Sequence, residues 1–247
     1  MKKLIAIAVL ALMGLTLAAT NAHAGEWGLG LGVAAQQPPQ VGISTETVVL
    51  PFPSYQGERL SLDFASAGYA LVKTDRVRFA VEGQLRFDGY DPAESTALAG
   101  LEERDVTLDA GFSITTAGAT WGIASFKVMA DALGVHDGYE ISASYQYPIL
   151  RGRWIIVPGI TANWPSEELV EYYYGVRLDE ATPDRPAYSG SAVLNASVGL
   201  NASYELADSW EIIGGAEYTF LGDGITDSPI IEKDHEVIMF SAIVYRF

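Results

Sequence analysis

His136 and His235 are the histidines that remain once an N-terminal leader is set aside, and each stands beside a carboxylate, Asp137 and Asp234 respectively. An imidazole can take a proton from water and drive hydrolysis when a carboxylate orients it on a rigid support. Both pairs fall in Gly- and Asp-rich stretches that read as loops, so the sequence favours solvated loop histidines over a proteolytic pair. Gly28, Gly30 and Gly32 imitate a nucleotide-binding run, but their spacing is wrong for one. They alternate with Leu29, Leu31 and Val33, which points to small residues facing a crowded interior. The chain carries no Gly-x-Ser-x-Gly elbow, phosphate loop or His-Glu-x-x-His zinc motif. With no cysteine, disulfides and thiolate metal sites are excluded. The expectation is therefore a protein with no catalytic residue, metal or cofactor.

A second candidate is electrostatic. Arg86, Asp109 and Lys127 lie on the polar faces of three neighbouring segments. Hairpin pairing would set Arg86 roughly opposite Asp109 and Asp109 roughly opposite Lys127. A ladder of alternating charge would neutralise ions buried in a narrow interior, where each unpaired charge is costly. It could serve as a structural plug or as an ion path.

The elements that must position these residues are strands. Residues 1–24 read as a secretory leader: Lys2 and Lys3, an apolar stretch from Leu4 to Ala19, then Ala22-His23-Ala24. Cleavage falls between Ala24 and Gly25, and 25–247 forms one barrel domain. No later stretch reaches the roughly 18 continuous apolar residues of a spanning helix. The mature part carries 31 acidic residues against 13 basic ones, a formal net charge of −18. That balance disfavours nucleic acid, whose phosphates it would repel. At a lipopolysaccharide surface, carboxylates can be bridged by divalent cations.

Alternation with period two dominates the mature sequence. In 191–206, Ala192, Leu194, Ala196, Val198, Leu200, Ala202, Tyr204 and Leu206 share one face. Ser191, Val193, Asn195, Ser197, Gly199, Asn201, Ser203 and Glu205 share the other, a separation that a helix would scramble and a strand produces. The same pattern recurs at 76–90, 105–115, 139–149 and 210–220, and more loosely at 26–34, 119–132, 154–164 and 236–247. These runs exceed ordinary soluble strands, and aromatics sit near the ends of their apolar faces, as membrane interfaces require. Short turns at Lys73–Arg76, Thr116–Ala119, Leu150–Arg153 and Ala207–Ser209 alternate with longer connections near 35–57, 91–104, 133–138, 165–190 and 221–235.

This layout predicts an all-β fold: a closed antiparallel transmembrane β-barrel with short periplasmic turns and long extracellular loops. It would have about ten strands, or twelve if 58–73, where the alternation changes parity, divides in two. Closure is required because lipid cannot satisfy an open sheet edge. The chain ends on a face carrying Tyr245 and Phe247, which resembles the C-terminal signal that hands such barrels to their insertion machinery in the outer membrane.

Several stretches also resemble the MipA/OmpV family of MltA-interacting outer-membrane proteins. They are Leu50-Pro51-Phe52-Pro53-Ser54-Tyr55-Gln56-Gly57, Leu101-Glu102-Glu103-Arg104-Asp105, Pro158-Gly159-Ile160 running on to Trp164-Pro165-Ser166-Glu167, Glu171-Tyr172-Tyr173-Tyr174-Gly175-Val176, and Leu221-Gly222-Asp223 through Thr226-Asp227-Ser228-Pro229-Ile230-Ile231. The resemblance implies an outer-membrane barrel without catalytic residues. Through its best-known member it implies a scaffold joining a murein hydrolase to a peptidoglycan synthase. A narrow pore, or an adhesin or receptor facing outward, is the alternative. Read from the residues, Tyr172–Tyr174 could fold over the barrel mouth, burying rings and hydroxyls together, or display the rings for adhesion.

Overall fold

The computed structural model describes residues 25–247. The leader, with Ala24 at its end, lies outside the described residues, and Gly25 is the first described. Thirteen strands form one antiparallel sheet: β1 (Glu26–Gln37), β2 (Glu46–Gln56), β3 (Leu60–Leu62), β4 (Ser66–Lys73), β5 (Val77–Arg86), β6 (Thr107–Gly118), β7 (Gly122–Asp131), β8 (Tyr139–Gln146), β9 (Ile149–Arg151), β10 (Trp154–Pro165), β11 (Asn195–Ala207), β12 (Trp210–Phe220) and β13 (His235–Arg246). Neighbours in sequence pair along the sheet, β13 pairs with β1, and β10 with β11, so the sheet closes on itself. β8 and β9 both pair with β10 and are two pieces of one wall strand, interrupted at Tyr147-Pro148. The wall thus has twelve strand positions. Among the described residues no helix is long and apolar enough to cross a membrane; strands do the crossing.

Alternation explains the wall. Leu29, Leu31, Val81, Phe112, Ile114, Phe126, Ile160, Val198, Leu200 and Met239 are exposed on its outer surface, an apolar belt that suits hydrocarbon and would be untenable in water. Aromatic pairs mark both rims. Trp27–Tyr55, Trp154–Tyr204 and Trp210–Tyr245 meet at the turn side; Tyr139–Trp164 and Tyr218–Phe220 do so at the loop side. Inside, Gly28, Gly30 and Gly32 of β1 face β13. A Cβ on Gly30 would sit 2.2 Å from the Ile243 carbonyl and 3.0 Å from Val244 Cα, so close strand approach requires glycine there.

The structure corrects the strand inventory at one place. The stretch 35–57, expected to be a long connection, contains the end of β1 and all of β2. Pro51 and Pro53 disguise β2, since proline is rare within strands. Its inward face also carries Val48, Leu50 and Phe52, so polar and apolar residues do not alternate there. The stretch 58–73 divides into β3 and β4 around a tip at Asp63–Ala65. A register shift between Ala70 and Val72 then absorbs the remaining parity change as a bulge.

Candidate functional site: a cap over a charged lumen

The lumen-facing positions of β5, β6, β7 and β8 are polar. Arg86 lies opposite Thr107 and Asp109 opposite Asp131, so neither faces the residue expected of it. Arg86 nevertheless reaches back diagonally, placing Nε 2.7 Å from Asp109 Oδ2, with Asp88 at 2.8 Å and Glu140 at 3.6 Å. Lys127 does not join that group. It lies opposite Ser113 and pairs with Glu82 at 3.0 Å, whose other oxygen takes Arg78 and Ser113 Oγ. The expected single ladder is therefore two separate clusters stacked along the lumen.

His136 overturns the expectation of a solvated loop residue: its side chain is fully buried. Its Nδ1 accepts the Gly138 N–H at 3.0 Å, which fixes the proton on Nε2, and Nε2 donates to Asp109 Oδ1 at 3.0 Å. Both ring nitrogens are engaged, so no lone pair is free to take a proton from water. Asp109, Asp131 and His136 bring their ligand atoms close enough to hold a metal ion. However, Asp131 already accepts from the backbone of Leu133, Gly134, His136 and Asp137 and from Thr107 Oγ1, and Asp109 is held by Arg86. The donor set fits a fastening of the β7–β8 loop to the wall. His235 stays near the rim, bonded to Asp234 and stacked on Tyr218.

Above the charges sits a cap. Helix α1 (Glu167–Tyr174) lies over the loop-side mouth and buries Leu169, Val170, Tyr173 and Tyr174. With Ile225 of the short helix α2 (Asp223–Thr226) these form one apolar cluster; Ile43, Tyr90, Leu98, Leu101, Val176 and Ile230 form another. Three of the loops that build the cap carry the family-like stretches. Tyr173 is fully buried and donates to the Asp105 carbonyl, while Tyr172 Oη accepts the Asp105 N–H. Ser228 Oγ donates to the Tyr174 carbonyl at 2.6 Å, tying the Asp227-Ser228-Pro229 stretch to the tyrosine helix. A Cβ on Gly175 would lie 2.3 Å from the Glu171 carbonyl, so glycine lets the chain leave α1 there. Tyr173 and Tyr174 are internal to the cap and Tyr172 is half-buried against it, so the three rings fold over the barrel mouth.

Sequence reasoning misses the pair that pins the cap. Arg104 binds both oxygens of Glu180 at 2.9 and 3.1 Å, with side chains 1% and 3% exposed. Glu180 also accepts from the Glu102 and Arg177 backbones. Burial alone would raise the Glu180 pKa, but the Arg104 bond and the two N–H donors outweigh it and hold the carboxyl below its usual range. Arg185 spans the carbonyls of Ala97, Ala99 and Glu180. Burial pushes the Tyr90 hydroxyl up to about 12, keeping it neutral inside the cap.

At the opposite rim the turns are tight. Lys73, Arg76, Arg151 and Arg153 are all exposed there, with Lys73 resting on the Glu58 carbonyl and Arg153 on that of Leu206.

A closed sheet with an apolar outer belt, two aromatic rims and a polar, capped interior defines an outer-membrane β-barrel. The family model described as MltA-interacting protein MipA matches residues 29–247, and the chain belongs to this family. A protein named MltA-interacting protein from Escherichia coli (strain K12) is 30% identical over 250 residues, covering 99% of this chain and 98% of that one. Outer membrane protein OmpV of Vibrio cholerae is 27% identical over 195 residues, or 78% of this chain and 76% of its own. Among solved structures, the KdgM porin is similar at a TM-score of 0.45 and 7% identity, with 88% of this chain and 99% of that chain covered.

Proposed function

We propose that this protein is a non-enzymatic outer-membrane barrel that presents its periplasmic rim to peptidoglycan-remodelling enzymes. The observation that carries the reading is the exposure of Lys73, Arg76, Arg151 and Arg153 on two turns of that rim, in a protein whose mature net charge is −18. A cap with its own apolar core supports it, because such a cap closes the outward mouth and turns the accessible binding surface toward the periplasm. The name of the Escherichia coli relative, which records an interaction with MltA, agrees. The rim is small compared with the roughly 800 Å² per partner of a stable complex. The contact is therefore weak and made effective by confinement of both partners to one membrane surface.

Charge reversal at Arg151 and Arg153 tests this. Co-purification of murein hydrolase or synthase activity from gently solubilised membranes should fall, while the barrel still shows its heat-dependent shift on a gel. Retention of partners by that variant, with loss on deleting 176–189 from the cap, overturns the scaffold in favour of an outward-facing receptor.

A further inference from the structure

The barrel wall has a gap. β1 and β2 pair continuously from Glu26↔Gln56 to Gln36↔Glu46, but β3 meets β2 only at Tyr55↔Leu62 and Gln56↔Ser61. From Glu46 to Ser54 the far edge of β2 has no strand partner among the described residues. Across the gap, β4 starts only at Ser66, and Leu85 of β5 is tied to the tip by a single bond from its N–H to the Ala65 carbonyl.

Two prolines show how the open edge is tolerated. The β1–β2 ladder runs unbroken through Leu29↔Pro53 and Leu31↔Pro51. A proline nitrogen has no hydrogen to give, so both nitrogens must face away from β1, toward the gap. That edge lacks two donors where an added strand would need them, which argues against a second copy or a peptide completing the wall.

What fills the gap is aromatic. Phe64, at the β3–β4 tip, stacks on Phe87 with centroids 6.3 Å apart and planes 12° from parallel, and the pair packs with Ala65, Leu50 and Val106. Asp63 holds the tip in shape by accepting from the Ala65 and Ser66 N–H groups and from Ser66 Oγ. Outside this plug lies a groove of about 450 Å³, lined among others by Trp27, Pro53, Leu62, Phe64, Leu85 and Leu108. Inside, between the polar ends of these strands (Gln36, Glu46 and Glu236 on the loop side, Ser54 and Arg246 on the turn side), the lumen-facing residues of β13, β1 and β2 are apolar or small: Ile238, Phe240, Ala242 and Val244; Gly28, Gly30 and Gly32; Val48, Leu50 and Phe52. Two aromatic rings thus separate an apolar groove on the membrane side from the apolar half of a lumen whose outer mouth is capped.

We propose that Phe64 and Phe87 gate a lateral portal through which one acyl chain of a phospholipid passes from the bilayer into the apolar half of the lumen. The occupant follows from continuity, since the groove is part of the lipid-facing belt and the bilayer already bathes it. Its floor reaches Trp27, whose ring packs on Tyr55 in the periplasmic aromatic rim, and this places the opening toward the phospholipid leaflet. Among the described residues no charged side chain other than Asp63 lines the groove, so a chain rather than a head group would occupy it. This inference is independent of the basic rim.

Photo-crosslinking in vesicles of phosphatidylethanolamine bearing a tagged acyl chain tests it. Benzoylphenylalanine replaces Phe52 (lumen, apolar side), Ser113 (lumen, polar side) or Phe126 (outer belt), each variant first shown to be heat-modifiable. The portal predicts strong labelling at Phe126, labelling at Phe52 several-fold above that at Ser113, and a further increase at Phe52 when Phe64→Ala opens the plug. Labelling at Phe52 no greater than at Ser113, with Phe126 positive, overturns the portal. An unchanged signal at Phe52 in the Phe64→Ala background overturns the gate. Labelling at Phe52 by tagged free fatty acid but not by the phospholipid overturns the choice of occupant.

Discussion

Asp109 holds His136 by one oxygen and Arg86 by the other, at 3.0 and 2.7 Å, so one lumenal carboxylate locks the β7–β8 loop to the charged wall. Removing it would leave a buried guanidinium short of a partner. Breaking a buried pair from one side typically costs about 3–5 kcal/mol. Asp109→Ala should therefore lower the urea midpoint of the detergent-solubilised barrel and the temperature of its gel shift. His136→Phe leaves the Arg86–Asp109 pair intact but removes the bond to Asp109 and the acceptor of the Gly138 N–H, about 1–3 kcal/mol for each buried group orphaned, so it should lower the midpoint as well. A midpoint for Asp109→Ala equal to that of the parent would show that the pair contributes nothing.

The cap gives a pH prediction whose sign follows from Glu180. Its pKa is lowered by Arg104 and backbone N–H donors despite burial. Its contribution is therefore complete above the unfolded carboxylate value of about 4.3 and is lost as pH falls through the lower folded value. Hydrogen-exchange protection in 92–104 and 176–188, taken relative to the intrinsic amide rate at each pH, should stay high from neutral pH to about 5 and fall below about 4. In Glu180→Gln, protection there should be low at neutral pH and should change little on acidification. A parent cap that loosens at mildly alkaline pH would contradict the assignment.

Much of the wall is legible in the chain because apolar and polar residues that alternate over ten or more positions separate cleanly only on a strand. Leu29 to Val33 and Ala196 to Leu206 announce their faces without help, although the alternation of 191–206 begins four residues before β11 does at Asn195. The stretches that resist reading do so for local reasons. β2 carries Pro51 and Pro53 on a free edge, where proline is allowed, and apolar residues toward the lumen, so it violates both rules by which strands are read. His136 reads as solvated because its anchors, Asp109 and Gly138, become its neighbours only through the fold, and a small error in hairpin register is enough to misplace Lys127. Arg104–Glu180 joins residues 76 apart, and nothing local marks Glu180 as buried.

The β1–β13 seam tests whether the glycines are structural. Gly30→Val would drive a side chain into the Ile243 carbonyl and Val244 Cα, both backbone atoms, which cannot yield as a side-chain tip can. We expect no heat-modifiable band and degradation of the unassembled chain. Leu31→Ala, one residue on but facing lipid with 58% exposure, should assemble. Normal assembly of Gly30→Val would mean that the lumen at this level is wider than the structure shows.

Phe247 separates recognition during assembly from stability after it. The residue is 75% exposed and its main ties are a backbone N–H to the Trp27 carbonyl at 2.9 Å and a ring contact with Tyr245. Truncating it keeps the backbone bond and removes little buried surface. Phe247→Ala should therefore leave the stability of protein refolded in detergent within about 0.5 kcal/mol of the parent, read from urea unfolding. If the terminal aromatic is read by the insertion machinery, the same change should lower the yield of heat-modifiable protein in the outer membrane several-fold, with unfolded chain accumulating in the periplasm. A fall in both quantities would make Phe247 a stability residue. No fall in either would remove the C-terminal face, Tyr245 and Phe247, from the assembly pathway.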